Sequence, residues 1–425
     1  MLLTYLIFLI ISAFCSAKQK VLLLAISNIH LDYVHKFNLT TFDFLAENGV
    51  HATWGMKPSF FTKSMPNLYT IATGLYPENH GIISDSMWDP EFNKTFSYTS
   101  RKDPKWWEEG EPIWVTAKKQ GKKVNVYNWP GSNIKIHGIY PDSFLSQSWT
   151  TPFKDEIDTI VEWLGDEEAD LVLMHMNSLY RYPYLAIAER KAKLIDEALS
   201  YLFYRLTTDF LLNEVNIIIV SDKGSVNVST SSNHVIKLSD YVNVRDVIYT
   251  GRTEGGSAGL WPKRNQTEKI YRELLKAYPK LITYKKEHIP EEFHIKKHKR
   301  CPPLLVVADE RYYIKSFYQY YSPATQFIIS DGYNPRLMDL RAIFYAVGPY
   351  FKQNYVINNL DSVNIYSIIC HILDIKPSAH NGSWKDVSHM LTSPNKIEYA
   401  SGVASIKFSV IIISVNVICL TLNLF

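Results

Sequence analysis

Ser64 is the residue of this chain best placed to do chemistry. It stands in T-K-S-M-P-N, just before a Pro-Asn step and an amphipathic run, and T-G-L-Y-P-E-N-H-G-I then carries the chain into a turn. A serine hydroxyl can attack as a nucleophile once a base or a metal ion activates it. Other polar residues cluster at the ends of apolar runs: Ser27-Asn28 after one, Ser221-Asp222-Lys223-Gly224 after another, and Ser330-Asp331-Gly332-Tyr333 farther on. Lys223 adds a protonated ammonium, which has no lone pair to give and repels positive charge. His175 lies inside the run Leu-Val-Leu-Met-His-Met, where a lone imidazole is more often a core residue than a ligand.

The elements that must position these groups are readable from hydrophobic pattern. Val21–Ile26 is a continuous apolar run, as expected of a strand buried on both faces of a parallel sheet. Similar runs recur at Leu171–Met174 and Val215–Val220, with another apolar segment at Ala342–Val347. Helical patterns separate them at Thr40–Asn48, Pro66–Thr73 and Ala186–Leu206. Strands alternating with helices predict an α/β sandwich, a mostly parallel central sheet flanked by helices. Ligands of such sheets sit at the carboxyl ends of strands, so Ser27, Asp222 and Lys223 fall where a site belongs. A smaller inserted subdomain is expected from about Val235 to Tyr313.

The segments FLAENGVHATW, TKSMPNLYTIATGLYPENHGIISDSMWDP, EPIWVTAKKQGKKVNVYNWPGS, IIIVSDKGS, RAIFYAVGPYFK and NIYSIICHILDIKPSAHNGS together resemble the ectonucleotide pyrophosphatase/phosphodiesterase family of the alkaline phosphatase superfamily. The likeness runs from about Val21 to Leu391. It implies an alkaline-phosphatase-like sheet with two zinc ions at its carboxyl edge and Ser64 at the nucleophile position, where most members carry Thr. It also implies a ligand set that this chain does not supply. Ser27 stands for the Asp after the first strand, and Lys223 for the His of Ser-Asp-His-Gly. No Asp or Glu occurs from Leu171 to Ala188, where the family has an Asp and a His, so His175 is the only ligand type there. Asp331 replaces the last His. Of the six implied ligand positions, Asp222 remains and Asp331 is a substitute. Asp85 takes the place of a phosphate-binding Asn, where a carboxylate repels phosphate. Without metal, Asp222, Asp331 and Asp85 would crowd one pocket, and the Lys223 ammonium would offset their repulsion.

Compartment comes from the ends. Residues 1–17 read as a secretory signal, a short apolar run closing on Ser-Ala. Asn38, Asn93, Asn227, Asn265 and Asn381 each open an N-x-[ST] sequon. Residues 401–425 form a hydrophobic tail without basic residues after it, which suits a GPI-attachment signal, with a membrane-anchoring helix as the alternative. Residues 18–400 form the phosphodiesterase-like body. Cys15 and Cys419 fall in the leader and tail, leaving Cys301 and Cys370 for at most one disulfide. The basic run Lys285–Arg300 is broken by three glutamates and reads as a solvated loop, and a net charge of +3 implies no nucleic-acid partner. The expectation is a glycoprotein of the cell surface or secreted, leaning away from catalysis and needing no cofactor. It would bind a protein, a glycan or a small molecule. The alternative is an active phosphodiesterase using two zinc ions, with Ser64 as nucleophile.

Overall fold

Lys20–Ile26, every residue of it buried, forms strand β1 of the computed structural model. The structure describes residues 19–392 apart from 28, 98, 149–150, 177–184, 251–254, 316 and 318–325. The expected leader and hydrophobic tail lie outside the described residues. Among those described, no helix is long and apolar enough to cross a membrane.

The strands of the main sheet are β1, β2 (Val50–Ala52), β3 (Val124–Tyr127), β4 (Ser143–Leu145), β5 (Leu171–Met176), β6 (Val215–Ser221), β7 (Phe344–Val347) and β8 (Tyr355–Ile357). Their spatial order is β8-β2-β7-β6-β1-β5-β3-β4. All neighbours are parallel except β7, which runs antiparallel to β2 and β6. Helices α1 (Thr40–Asn48), α2 (Ser64–Thr73), α3 (Ile113–Lys119), α4 (Phe153–Leu164), α5 (Leu185–Thr208) and α6 (Ile365–Ile372) cover the two faces.

Alternation along β1 shows how the layers form, since successive strand side chains point to opposite faces. Val21, Leu23 and Ala25 share an apolar cluster with Leu68 of α2, Val115 of α3 and Ile368 of α6. Leu22, Leu24 and Ile26 share another with Phe42 of α1, Ile160 of α4 and Leu199 of α5. Burying each such side chain is worth about 1.5–3 kcal/mol, so this core sets strand order and leaves the edge loops free to carry polar groups.

Within the stretch from Val235 to Tyr313, Val247–Thr250, Ser257–Pro262, Leu304–Ala308 and Leu281–Lys285 pair in that order into a second, antiparallel sheet. It has its own core around Leu260, Leu274 and Val306. The run Lys285–Arg300 differs from the solvated loop that its charge suggests. Ile289, Phe293 and Ile295 are buried against Phe60 and Phe61, and Arg300 has no exposed surface. Apolar residues spaced through the run pull it inward, and only some of its lysines stay out.

The single disulfide that the cysteine count allows does not form. Cys301 is buried beside Phe293, Cys370 is buried on α6 in a separate cluster, and both are free. Burial pushes both thiols up to about 12, which leaves them unreactive. Reductant should therefore change neither electrophoretic mobility nor melting temperature. A reductant-sensitive mobility would show a bond. Asn38, Asn93, Asn227, Asn265 and Asn381 are all exposed.

Candidate functional site

Three neighbouring parallel strands bring the polar residues together. In register, Ala25 of β1 lies opposite His175 of β5, and Ile26 lies opposite Ser221 of β6. Ser27 therefore leaves β1 beside His175 on one side and Asp222 on the other. Ser27 Oγ is 2.7 Å from His175 Nε2 and 3.4 Å from Asp222 Oδ2. His175 Nδ1 faces the Asn128 carbonyl at 3.3 Å, and the tautomer protonated on Nδ1 satisfies both contacts. Burial pulls the imidazole below its ordinary value despite nearby Asp222. His175 is thus a neutral, buried group held by a hydroxyl and a carbonyl.

Lys223 occupies the centre. Its Nζ lies 3.4 Å from Asp222 Oδ2, 3.4 Å from Asp331 Oδ2 and 3.3 Å from Ser64 Oγ. The side chain is 1% exposed, so the ammonium is held away from bulk water. Burial alone would lower its pKa. Asp222, Asp331 and Asp85 outweigh that and hold it above the ordinary lysine value. Lys223 is therefore charged at neutral pH. It donates to Ser64 and has no lone pair with which to take the serine proton.

Asp331 follows Phe327–Ser330, which pairs with Val226–Ser229 just beyond β6. It also forms an ion pair with Lys63, whose side chain is 5% exposed. Lys63 caps α2 in an extended conformation. Gly332, at φ +86°, makes room for it, since a Cβ there would sit 3.1 Å from Lys63 Cε. Ser64 opens α2 and is half-buried. Asp85 is exposed as a residue, but its carboxyl end is crowded. Desolvation pushes that carboxyl up, against the downward pull of Lys63, the Met65 N–H and Lys223. Two ammonium groups thus sit among three carboxylates.

The structure brings Ser27, Ser64, Asp85, His175, Asp222, Lys223 and Asp331 to one edge. Sequence reasoning missed Lys63, since nothing in T-K-S tells an inward lysine from a solvated one. It also missed the Ser27–His175 hydrogen bond, which appears only with the β1–β5 register.

These residues do not fit a pair of zinc ions. The two carboxylates that could coordinate one are each 3.4 Å from a lysine nitrogen, and His175 Nε2 is engaged by Ser27. Among the described residues, no group of three or more His, Cys, Asp or Glu side chains could hold a metal. A zinc site needs three or four such donors around one point.

Comparison with known proteins gives a consistent picture. The sequence profile "Type I phosphodiesterase / nucleotide pyrophosphatase" matches residues 21–334. Human ectonucleotide pyrophosphatase/phosphodiesterase family member 5 is 33% identical over 404 residues, covering 92% of this chain and 83% of that protein. A human bis(5'-adenosyl)-triphosphatase is 29% identical over 408 residues, covering 94% and 88%. The solved structure of murine ectonucleotide pyrophosphatase/phosphodiesterase 5 superposes with a TM-score of 0.80 at 32% identity, covering 88% of this chain and all of that one. An inactive variant of the murine protein, in complex with AMP, matches equally well.

Proposed function

This chain belongs to the type I phosphodiesterase/nucleotide pyrophosphatase family, within the alkaline phosphatase superfamily, and from that premise we propose that it is a catalytically silent member acting by binding. The observation that carries this reading is the Lys223 ammonium, buried 3.4 Å from both Asp222 and Asp331. It supplies a fixed unit charge where the fold calls for a divalent ion. An ammonium can neutralise carboxylates, but it cannot activate an attacking hydroxyl or polarise a phosphoryl oxygen as a metal does.

The competing reading is hydrolysis of a nucleotide or lysophospholipid phosphodiester, with Ser64 as nucleophile and Asp222, Asp331 and His175 as re-sited ligands. Its support is the half-exposed Ser64 at the head of α2 and the activities in the relatives' names. The raised pKa of Lys223 and the engaged His175 weigh against it.

We place the protein on the extracellular face of the plasma membrane or in the secreted fraction, glycosylated at the exposed sequon asparagines. A lipid or helical anchor at its C-terminus would hold the displayed form. Its partner would be a protein, a glycan or a small molecule.

Purified protein should carry no stoichiometric zinc and show no chelator-sensitive cleavage of a nitrophenyl phosphodiester. A pair of zinc ions per chain together with such cleavage would overturn the proposal.

A further inference from the structure

Asp85 meets the N-terminus of α2 in a way that bears on what the cleft admits. α2 is a 10-residue helix whose first turn is Ser64, Met65 and Pro66. The first amides of a helix have no partner within it and carry the positive end of its dipole, so they attract anions. Here that supply is small. Pro66 has no N–H. The Lys63 N–H is already donated to the Phe61 carbonyl at 2.7 Å. Ser64 and Met65 remain, and the Met65 N–H donates to Asp85 Oδ1 at 2.8 Å. An internal carboxylate thus takes one of the two amides open to an outside anion. The charge of Lys63 and Lys223 reaches the same carboxylate, so the local positive field is spent on it as well.

We propose that Asp85 is a specificity-determining residue: its carboxylate is a built-in occupant of the anion position at the head of α2, and it keeps phosphate monoesters and nucleotides out of the cleft. The proposal rests on the reading that the site binds rather than hydrolyses, and it specifies which ligands are refused. A phosphate entering there would meet a carboxylate at contact distance and would have to displace it from Met65, a like-charge clash that costs affinity.

The test compares the full-length protein with Asp85→Asn and Asp85→Ala, using AMP and inorganic phosphate as probes, by calorimetry in the presence of chelator. Asn keeps an oxygen for the Met65 N–H and removes the charge. Ala frees the amide altogether. Both variants leave Lys63, Lys223 and Ser64 in place, and unchanged circular dichroism and cooperative melting establish that each is folded. Both should bind AMP about tenfold or more tighter than the wild type. Should one variant fail to fold, the other carries the comparison. Wild-type protein binding AMP as tightly as a folded variant would overturn the proposal, as would folded variants with no gain. Chelator keeps this outcome separate from the question of catalysis. Zinc-dependent hydrolysis by the wild type would sink the binding reading, while the anion comparison would still be read on its own.

Discussion

Lys223→Ala should destabilise the protein by about 3–5 kcal/mol, the cost of removing one partner from a buried ion pair. The ammonium is 1% exposed and stands 3.4 Å from each of Asp222 and Asp331. Without it, Asp222 loses its nearest cation while still accepting the amide of residue 223 at 3.0 Å, and Lys63 remains as a counter-charge for Asp331 and Asp85. Water entering the vacated volume would soften the loss, and denaturant unfolding measures what remains. The charge account makes a second, separable demand. Asp222→Asn together with Lys223→Ala should be less destabilised than Lys223→Ala alone, because a neutral amide in place of Asp222 needs no counter-charge. Equal losses in the single and double variants would mean that the lysine stem, rather than its charge, was supporting the site.

The same ammonium fixes a pH signature. Its folded pKa lies above the ordinary value of 10.5 because nearby carboxylates outweigh burial. A group whose pKa rises on folding stabilises the fold fully below its unfolded pKa, and that contribution fades as pH climbs through the folded value. The gap between wild type and Lys223→Ala should therefore be level through the neutral range and narrow above about 10.5. A gap that closed in mild acid would point to different groups.

What could be read in advance follows from which signals are local. Continuous apolar runs gave β1, β5 and β6, because a strand covered on both faces has no polar side to hide. The Thr40–Asn48 pattern matches α1 end to end. The reversed direction of β7 was not legible, since an apolar run such as Phe344–Val347 carries no sign of polarity. Ser64, Asp85, Asp222, Lys223 and Asp331 stood out singly as departures from a recognisable motif. Their mutual contacts did not, because Asp331 reaches the edge only through the pairing of Phe327–Ser330 with Val226–Ser229. Lys63 and Arg300 were invisible for a common reason. Long basic side chains are usually solvated, and burial depends on a carboxylate distant in sequence: Asp331 for one, Asp89 for the other.

Arg300→Ala should be the most damaging substitution outside the site, again on the order of 3–5 kcal/mol. Its guanidinium and the Asp89 carboxylate are both wholly buried, with Nε 2.6 Å from Oδ2. The remaining donors reach the Gly81 carbonyl at 2.8 Å and Glu109 at 3.0 Å, and the plane lies 4.8 Å from the Trp106 ring centre. One side chain thus ties the end of the Lys285–Arg300 run to residues 81–89, the segment that carries Asp85, and to the turn around Trp106. Removing it leaves the buried Asp89 charge with the Glu91 and Phe92 amides on Oδ1 and without its cation on Oδ2. Arg300→Met combined with Asp89→Leu should recover part of the loss, since an unpaired buried charge costs more than an apolar pair of similar size. Recovery should be incomplete, because the Gly81 carbonyl still loses its Arg300 donor and Glu109 loses the guanidinium while keeping His298 and Lys299. Asp89 adds an acid limb. Burial would raise its pKa, but the Arg300 bond and the amides of Phe92 and Glu91 hold it below the ordinary 3.8. Its contribution is present above that value and lost as pH falls through the lower folded value. The wild type and Arg300→Ala should therefore converge in strong acid, and a difference undiminished there would show that packing against Trp106, not the ion pair, is what Arg300 supplies.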